Sequence, residues 1–543
     1  MNDYDAIVIG SGSGGLTAAL ALALAGRRVA VFEQHVLPGG YSQSFELGGF
    51  RFSPGIHYVG ALGPGGGLRR IYEGLGVAND LEFFELDPDG YDRAFVGGER
   101  FDIPKGQERF AERLKGRFPA EAKGIDRYFD LVVRMIREIG HATPIHRLSE
   151  IASEAIRMPT VLQHGLLPLS RLLDGCTRDP LLRAILSIQA GDHGMAPSRA
   201  PAALHAGLQG YYLDGGCYPR GGGRAIPDTL VRHIRRLGGE VALGAEVAEI
   251  RIAGGTALGI RLADGRELDA PIVISNADPG VTWGRLVARE HLGWRLRHRV
   301  AGLRWSVSTV SVFLGVDMDL RAAGIDSGNV WFSRTTDVDA AYDFAARSAL
   351  DGSEEIPGLF FNATTLKDPT LRRDGLHTVE AMALASFDAF AAWSDTAPGR
   401  RPPEYARLKA ALAERILDAV ERFVPGLRER IVFRAVATPL TNQRFLHATR
   451  GGIYGTEKTL GNLGPFGFPV DTHVRGLFQC GASTLAPGIN GVTHSGLAAA
   501  AAALGCAPDD LLTARRQSLR IYPAEDPSAW PEDVRAAVSR PAG

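Results

Sequence analysis

The sequence predicts an α/β fold organised around a strand, helix, strand unit near its N-terminus. Three features of residues 4–33 support this prediction: an apolar run from Ala6 to Ile9, an Ala- and Leu-rich stretch after a glycine-rich turn, and a second apolar run that ends in Glu33. Short apolar runs bounded by glycines are typical of buried parallel strands. Their order around a helical stretch predicts a βαβ unit.

The turn inside this unit has the spacing G-x-G-x-x-G at Gly10, Gly12 and Gly15. In a dinucleotide-binding unit the first glycine allows a tight turn, the second lets the backbone approach a pyrophosphate, and the third lets the helix pack on the sheet. The helix N-terminus presents free N–H groups to the phosphates. Glu33, 18 residues after Gly15, is placed to accept a hydrogen bond from a ribose hydroxyl and disfavours a 2′-phosphate.

The composition is typical of a globular chain with a small-molecule partner. A length of 543 residues is enough for about two to four domains. The 60 basic and 61 acidic residues give no bias toward nucleic acid. Four scattered cysteines without C-x-x-C spacing predict neither a disulfide framework nor a metal site, and they fit a reducing compartment.

The chain shows no targeting signal. Its first predicted strand begins within about five residues of the N-terminus, which leaves no room for a signal peptide. No uncharged apolar span reaches the length of about 18 residues that a membrane helix needs. We therefore expect a cytoplasmic protein.

The residues after Glu33 carry a family resemblance. Gly39-Gly40 is followed by an alternating run from Phe45 to Phe52, with Gly48-Gly49 as the turn of a predicted hairpin. This arrangement resembles the FAD-dependent oxidoreductases that include phytoene desaturases, carotenoid isomerases and retinol saturases. The resemblance recurs over most of the chain, in E-Q-H at 33–35, G-I-H-Y at 55–58, Y-P-R-G-G at 218–222 and TPLTNQRFLHATRGGIYG at 438–455.

The resemblance implies FAD as the cofactor. It also implies a Rossmann-like FAD-binding domain of the glutathione-reductase/amine-oxidase type, interleaved with an α+β substrate-binding domain. In the family the Gly-Gly segment runs beside the ribityl chain, and a strand near Val247 contacts the adenine side. Gly481 approaches the phosphates or ribityl chain, and a helix from about Val492 to Gly505 points at the pyrimidine end of the flavin. The implied cofactor-binding residues are Gly10, Gly12, Gly14, Gly15, Glu33, Gln34, Gly39, Gly40, Ser42, Val247, Gly481 and Val492.

The alternation of cofactor-like and unrelated segments predicts two domains built from interleaved pieces. The predicted FAD-binding domain comprises 1–60, 215–290 and 470–507, the substrate-binding domain comprises 61–214 and 291–469, and 508–543 form a surface tail. The glycines at 215–223 do not form a second dinucleotide loop in this interpretation, because Tyr211 to Pro219 lack the pattern of a buried strand.

Other patterns predict individual elements. Helical spacing of apolar residues predicts amphipathic helices over 107–118 and 125–139, the second with a stripe of Phe129, Val132, Val133, Ile136 and Ile139. The more apolar stretch 151–173 has two interpretations, a membrane-surface helix or a helical hairpin that caps a substrate tunnel. Further predictions are a helix from about Ile226, a hairpin over 255–275 turning at Asp264-Gly265, strands at 307–316, 358–364 and 431–437, and a helix at 405–423.

The residues next to the predicted hairpin are the candidates for catalysis. His57 and Tyr58 follow the hairpin that lies near the flavin in the family, and Tyr58 is a candidate proton donor. The alternative role for His57 is a hydrogen-bonded histidine that shapes the flavin pocket. No Ser-His-Asp order, metal motif or paired-carboxylate signature accompanies them.

The preferred function is an FAD-dependent oxidoreductase that acts on carbon–carbon bonds of a lipophilic polyene or isoprenoid, with saturation of a retinoid-like alkene as the first suggestion of the resemblance. The alternative is desaturation or cis–trans isomerisation of a carotenoid. An amine oxidase and a non-catalytic lipid carrier with structural FAD are the other classes. Without a second nucleotide-binding unit, an NAD(P)H reductant visits the flavin cleft only transiently.

Overall fold

The structure is a computed structural model that describes residues 3–141, 156–347, 350, 352–397 and 399–539. Its strands, in chain order, are β1 (Ala6–Ile9), β2 (Val29–Glu33), β3 (Phe45–Leu47), β4 (Phe50–Phe52), β5 (Glu82–Glu85), β6 (Asp92–Val96), β7 (Glu99–Ile103), β8 (Cys217–Pro219), β9 (Glu240–Leu243), β10 (Val247–Ala253), β11 (Thr256–Leu262), β12 (Glu267–Asp269), β13 (Ile272–Ser275), β14 (Ser308–Val316), β15 (Asn329–Ser333), β16 (Gly358–Ala363), β17 (His377–Ala385), β18 (Ile431–Ala437), β19 (Leu477–Gln479) and β20 (Arg520–Pro523).

Helices connect and cover these strands. In chain order they are α1 (Ser13–Leu24), α2 (Gly67–Gly74), α3 (Gln107–Arg117), α4 (Ala122–Gly140), α5 (Leu169–Asp174), α6 (Pro180–Ser187), α7 (Ala202–Tyr212), α8 (Ala225–Arg236), α9 (Pro279–Val281), α10 (Trp294–Ala301), α11 (Ala340–Ala345), α12 (Thr364–Lys367), α13 (Pro403–Val420), α14 (Pro439–Leu446), α15 (Gly488–Leu504) and α16 (Glu532–Ser539). Within the described residues, no helix is both long and apolar enough to cross a bilayer.

The first sheet is parallel and has the strand order β19-β13-β1-β2-β9. Alternate side chains of β1 point to opposite faces: Ala6 and Val8 pack with the helices α1, α8 and α15, while Ile7 and Ile9 pack with β10 and β11. Burial on both faces explains why β1 has no polar residue. The predicted βαβ unit is confirmed.

A second sheet, β10-β11-β12, is antiparallel and covers the other face of the parallel sheet. The strands β11 and β12 are joined by the predicted Asp264-Gly265 turn, where Gly265 has φ +91°. The predicted hairpin over 255–275 is therefore present, and β13 then returns the chain to the parallel sheet.

The largest sheet has the order β18-β14-β17-β16-β15-β6-β7. Helix α13 packs on one face of it, and the layer α3 to α7 packs on the other. Because β6 and β7 come from residues 92–103 while the other strands come from 308–437, the chain completes this sheet only after returning to the parallel sheet. This arrangement is the predicted interleaving of an α/β nucleotide-binding domain with an α+β domain.

A further small sheet, β20-β5-β8, corrects the prediction of a C-terminal surface tail. Strand β20 pairs in parallel with β5, and Trp530 and Val534 pack with Phe84 in a separate buried cluster. The strand in this segment was not predicted from its Pro- and Arg-rich composition, because only a few of its side chains are buried. The same sheet contains β8, so Cys217 to Pro219 are a buried strand after all. That strand lies outside the parallel sheet, and its segment is not a second βαβ unit.

The predicted domain border at residue 60 also differs from the packing. Residues from Leu62 to Phe83, including the buried face of α2, share one hydrophobic cluster with α1 and α15. This part of the predicted substrate-binding domain therefore packs against the nucleotide-binding sheet. The other domain borders remain predictions.

The predicted amphipathic helices are present as α3 and α4. In α4 the buried face includes Phe129 and Val132, whereas Val133 and Ile136 are half-buried and Ile139 is exposed. In the stretch 151–173, residues 151–155 lie outside the described residues. From residue 156 onward the chain forms a wide helical turn over 161–165 and then α5.

Candidate active site

The β1–α1 turn is closed by its glycines. Gly10 has φ +90°, a conformation that favours glycine. A Cβ on Gly15 would lie 2.2 Å from the carbonyl oxygen of Gly10, so only glycine lets the helix start this close to the strand. The turn therefore has the shape that the motif predicts for a pyrophosphate site.

Three distant segments meet at this turn and form a cradle, which we define as Gly12, Gly14, Asn276, Gly481 and Val492. A Cβ on Gly14 would lie 2.7 Å from Asn276 Oδ1 and 2.9 Å from the carbonyl oxygen of Val492. The nitrogen of Gly481 would lie 3.4 Å from that same Cβ. The structure thus brings together Gly12, Gly14, Gly481 and Val492 as the sequence predicts. It adds Asn276, which follows β13 at the carboxyl end of the sheet.

Glu33 is buried at the end of β2 and holds the turn. Its Oε2 accepts hydrogen bonds from the backbone N–H and the hydroxyl of Ser11, both at 2.8 Å. Its Oε1 accepts a hydrogen bond from the N–H of His35 at 2.8 Å. The carboxylate therefore lies beside the glycine turn, as a ribose-binding acid requires.

The Gly-Gly segment runs alongside the turn. Gly39, with φ +114°, forms a parallel bridge with Gly12, and the hydroxyl of Ser42 lies 2.8 Å from that of Ser13. A Cβ on Gly40 would lie 3.4 Å from the Cα of Gly12. These contacts place Gly39, Gly40 and Ser42 next to the cradle.

Two predicted residues lie further from the cradle. The side chain of Gln34 turns away and donates to the carbonyl oxygen of Phe445 at 2.7 Å. Val247 is buried at the start of β10, in the hydrophobic cluster that contains Phe32. It lies two residues after Ala245, whose N–H donates to the carbonyl oxygen of Glu33. Val247 is thus near the backbone of the acid, and its contact with adenine stays a prediction.

Helix α15 begins at Gly488, four residues before the predicted start, and ends at Leu504 with Gly505, the predicted end, as its C-cap. The earlier start requires a glycine at position 491, because a Cβ on Gly491 would lie 2.3 Å from the carbonyl oxygen of Ala486. Near this helix start and the Gly-Gly segment, Asn490 Oδ1 and Gln43 Oε1 are buried and have no hydrogen-bond partner among the described residues. The glycine cradle and these two unpaired atoms fit a large polar ligand such as a flavin nucleotide.

His57 contacts the inner strands β16 and β17 of the large sheet. Its Nδ1 is 3.3 Å from Glu380 Oε2 and 3.4 Å from the amide nitrogen of Asn362. The ring packs against Phe360 with a centroid distance of 5.1 Å. These contacts fix the ring, which agrees with the shaping role as well as with catalysis.

Tyr58 is buried, and its side chain contacts different residues from those that the His57 ring contacts. Its hydroxyl lies within hydrogen-bond distance of Asp192 Oδ2 and, at 3.1 Å, of Asp92 Oδ2. Burial, with both carboxyls nearby, holds the pKa of the Tyr58 phenol well above its usual range. The ring stacks on Tyr212 at 4.1 Å.

Sequence reasoning missed Lys367, which is fully buried at the end of α12. Its Nζ donates to the carbonyl oxygen of His57 at 2.6 Å and to Asn329 Oδ1 at 2.5 Å. Burial lowers its pKa to about 7, although Glu380, Asp92 and Asp192 oppose this shift. No local pattern marks this lysine, because its partners come from distant strands. Asn329 pairs in register with Asp92, and Asn362 pairs with Glu380.

A glycine turn on a parallel sheet, an acid at the end of the second strand and a returning helix at the same cradle define a dinucleotide-dependent oxidoreductase. The chain belongs to the flavin-containing amine oxidoreductase family, whose model matches residues 13–504. Its cofactor is therefore FAD, and FAD when bound supplies hydride transfer.

Similar proteins include the all-trans-retinol 13,14-reductases of Danio rerio, 30% identical over 84% of this chain and 78% of that protein, and of Homo sapiens, 31% identical over 85% and 78%. The chloroplastic prolycopene isomerase of Arabidopsis thaliana is 28% identical over 91% of this chain and 81% of its own length.

Solved structures show the same fold. An oxidoreductase from Methanosarcina mazei has a TM-score of 0.63 with 19% identity, covering 91% of this chain and 99% of its own. Putrescine oxidase has a TM-score of 0.62 with 18% identity, covering 92% and 99%.

Proposed function

We propose that this protein is an FAD-dependent oxidoreductase that reduces a carbon–carbon double bond of a lipophilic polyene, with a retinoid-like alkene as the first substrate class. The observation that carries the proposal is the similarity to retinol reductases over more than four fifths of the chain. The aromatic surroundings of His57 and Tyr58, formed by Phe360, Trp331 and Tyr212, suit such a substrate.

The cofactor-binding roles of the predicted residues are part of this proposal. Gly12 and Gly14 would approach the pyrophosphate, Glu33 the ribose, and the first turn of α15 the flavin ring. The positive end of that helix favours negative charge on a reduced flavin by roughly 0.3–2 kcal/mol.

Isomerisation or desaturation of a carotenoid is the second candidate, and the similarity to prolycopene isomerases supports it. A test that separates the candidates uses the FAD-loaded protein, reduced anaerobically with dithionite and mixed with all-trans-retinol or with a cis-carotenoid. Saturation reoxidises the flavin and yields a product two hydrogens heavier by mass spectrometry. Isomerisation changes the carotenoid geometry without net flavin oxidation.

A flavin that stays reduced with both compounds, while neither compound changes, would contradict saturation and isomerisation. Desaturation needs oxidised flavin as the hydride acceptor, so oxidised flavin that the carotenoid does not bleach would contradict desaturation. Those outcomes together would leave a lipid carrier, and reduction of the oxidised flavin by an amine would instead identify an amine oxidase. NAD(P)H is the proposed electron donor, bound only transiently at the flavin. Stopped-flow mixing with NADPH and NADH tests this, and failure of both to bleach the flavin would exclude them.

We also propose peripheral membrane contact through the exposed leucines of the stretch after residue 155. Leu162, Leu166 and Leu167 are each more than 40% exposed, close together on one surface segment. Apolar side chains grouped in this way are typical of surfaces that bind lipid.

Changing these three leucines to glutamine should abolish sedimentation with phosphatidylcholine vesicles and leave the flavin spectrum intact. The matched control is Leu258→Gln, because Leu258 is 43% exposed on β11, far along the chain from the patch. Equal sedimentation of the triple variant and the control would contradict membrane contact through this segment.

A further inference from the structure

Two carboxyl groups share one buried phenol beside the candidate active site. The hydroxyl of Tyr58 is 2.5 Å from Asp192 Oδ2 and 3.1 Å from Asp92 Oδ2. Asp92 is fully buried, while Asp192 is half-buried at the end of the segment after α6. Tyr58, Asp92 and Asp192 form a group distinct from the His57–Glu380 pair. Lys367 connects the two, because it donates to Asn329 and Asn329 donates to Asp92.

The number of protons decides which carboxyl is charged. A phenol has one proton and donates to only one acceptor, so both contacts are hydrogen bonds only if one carboxyl carries a proton of its own. Asp92 already accepts from Gln189 Nε2 at 2.6 Å and from Asn329 Nδ2 at 2.8 Å. The side chain of Asp192 has Tyr58 as its hydrogen-bond partner and no other among the described residues. Asp92 is therefore the anion, and Asp192 is the neutral acid that donates to the phenol oxygen.

The electrostatic surroundings agree with this assignment. Burial and the nearby Asp92 hold the pKa of Asp192 well above its usual range, although Tyr58 and Lys367 oppose the shift. Burial raises the pKa of Asp92 to about 6, and its hydrogen bonds limit that rise. Among the described residues, other tyrosines that interact with Asp192 also have raised pKa values: Tyr211 and Tyr212 on α7, Tyr342 on α11, and also Tyr91 and Tyr454.

Asp192 also lies next to the residues that flank the flavin site. A Cβ on Gly194, two residues further on, would lie 2.6 Å from the Tyr454 ring. Two residues before Tyr454, the carbonyl oxygen of Gly452 accepts a hydrogen bond at 2.9 Å from the hydroxyl of Tyr41, which belongs to the Gly-Gly segment. The segment that carries Asp192 is thus connected through Tyr454 and Gly452 to Tyr41 of the Gly-Gly segment.

We propose that Asp192 is the catalytic acid that delivers a proton to the substrate carbon during double-bond reduction, with Tyr58 and Asp92 as positioning residues. This proposal rests on the proposed function. In this step the C=C π bond breaks and one carbon receives the Asp192 proton, while the other carbon would receive the hydride that bound FAD, reduced by dithionite, supplies. The substrate is reduced by two electrons, the flavin is oxidised by two electrons, and the O–H bond of Asp192 is broken. The Tyr58 proton then turns from Asp92 to the new Asp192 carboxylate and stabilises it until solvent restores the acid.

The test uses the FAD-loaded protein, reduced with dithionite and mixed with all-trans-retinol. Asp192→Asn should keep the flavin spectrum and slow single-turnover flavin reoxidation by about 10²- to 10⁴-fold, as loss of a general acid does. The retinol concentration for half-maximal rate should change by less than about threefold, because the residue acts on the chemical step. Asp130→Asn, an exposed carboxylate paired with Arg134 on α4, is the control and should react like wild type.

Two readouts separate catalysis from structure. The wild-type minus Asp192→Asn infrared difference spectrum at pH 7 should contain the carbonyl band of a neutral carboxylic acid. The wild-type reoxidation rate should fall as pH rises through the pKa of Asp192. Tyr58→Phe should move that fall to higher pH, because the Asp192 anion loses its hydrogen-bond donor. Asp192→Glu should restore part of the rate.

A reoxidation rate in Asp192→Asn within threefold of wild type, or no neutral-acid band, would overturn the proposal. If Asp192→Asn does not fold, the pH dependence of the reoxidation rate in wild type and in Tyr58→Phe tests the proposal instead. An identical pH dependence in the two proteins would overturn the proposal. If wild-type flavin is not reoxidised by any polyene, the proposed function fails. The infrared band still reports whether Asp192 is neutral.

Discussion

The glycine cradle and the buried charged network lie in the same molecule but are built in opposite ways. The β1–α1 turn is made by neighbours in sequence, and its glycines carry their function through the absence of side chains. The network around Tyr58 and Lys367 takes side chains from several distant segments and holds them by hydrogen bonds. A site built from backbone shape has a readable motif, whereas a site built from buried charge depends on the register of the sheet.

The largest expected effect is on the cradle. Gly12→Val should purify without flavin, because a Cβ at this position would lie 2.6 Å from Asn276 Nδ2 and the side chain would fill the space of the pyrophosphate. The visible absorbance of the purified protein measures the loss. Gly116→Val is the control, since Gly116 lies in α3 with no heavy atom near its Cβ position. A yellow, fully loaded Gly12→Val protein would contradict the site.

The next expected effect is that Lys367, in the buried network, makes the free energy of unfolding depend on pH. Burial lowers the pKa of Lys367 from 10.5 to about 7, so between these values the unfolded state binds more protons than the folded state. The free energy of unfolding should therefore rise with pH by up to about 1.4 kcal/mol per pH unit for this group. In Lys367→Met this contribution should be absent.

Urea unfolding at pH 7, 8 and 9 measures that slope. Lys458, whose pKa burial also lowers to about 7, contributes in the same direction, so Lys367→Met with Lys458→Met should flatten the slope further. Lys123→Met, at an exposed position on α4, is the control. Identical slopes in wild type and Lys367→Met would mean that Lys367 is charged at neutral pH inside the fold.

The smallest expected effect is on the Kd for FAD and tests the role of Glu33. Glu33→Gln keeps an oxygen for Ser11 but loses the charge, so the Kd for FAD should rise by about tenfold. Titration of the apoprotein by quenching of FAD fluorescence measures it. Glu240→Gln, an exposed acid on the neighbouring strand β9, should leave the Kd unchanged. An unchanged Kd in Glu33→Gln would limit the carboxylate to holding the turn.

Much of the fold could be predicted because its elements have strong local patterns. The strands β1 and β18 have the predicted bounds, and α8 begins one residue from the prediction. The elements that were predicted wrongly or not at all depend on tertiary contacts. Helix α15 starts at Gly488 because Gly491 packs against the Ala486 carbonyl, which propensity does not indicate. Strand β20 was missed because pairing with β5, rather than its own residues, makes it a strand.

The sequence by itself determined the nucleotide-binding unit, the turn at Gly10 to Gly15 and the acid at Glu33, because local sterics and short-range hydrogen bonds require those residue types at that spacing. Only the tertiary structure decided that Asn276 joins the cradle, and that Tyr58, Asp92, Asp192 and Lys367 meet in one network. Their protonation depends on burial and on partners hundreds of residues away, and neither is encoded in any single stretch of the chain.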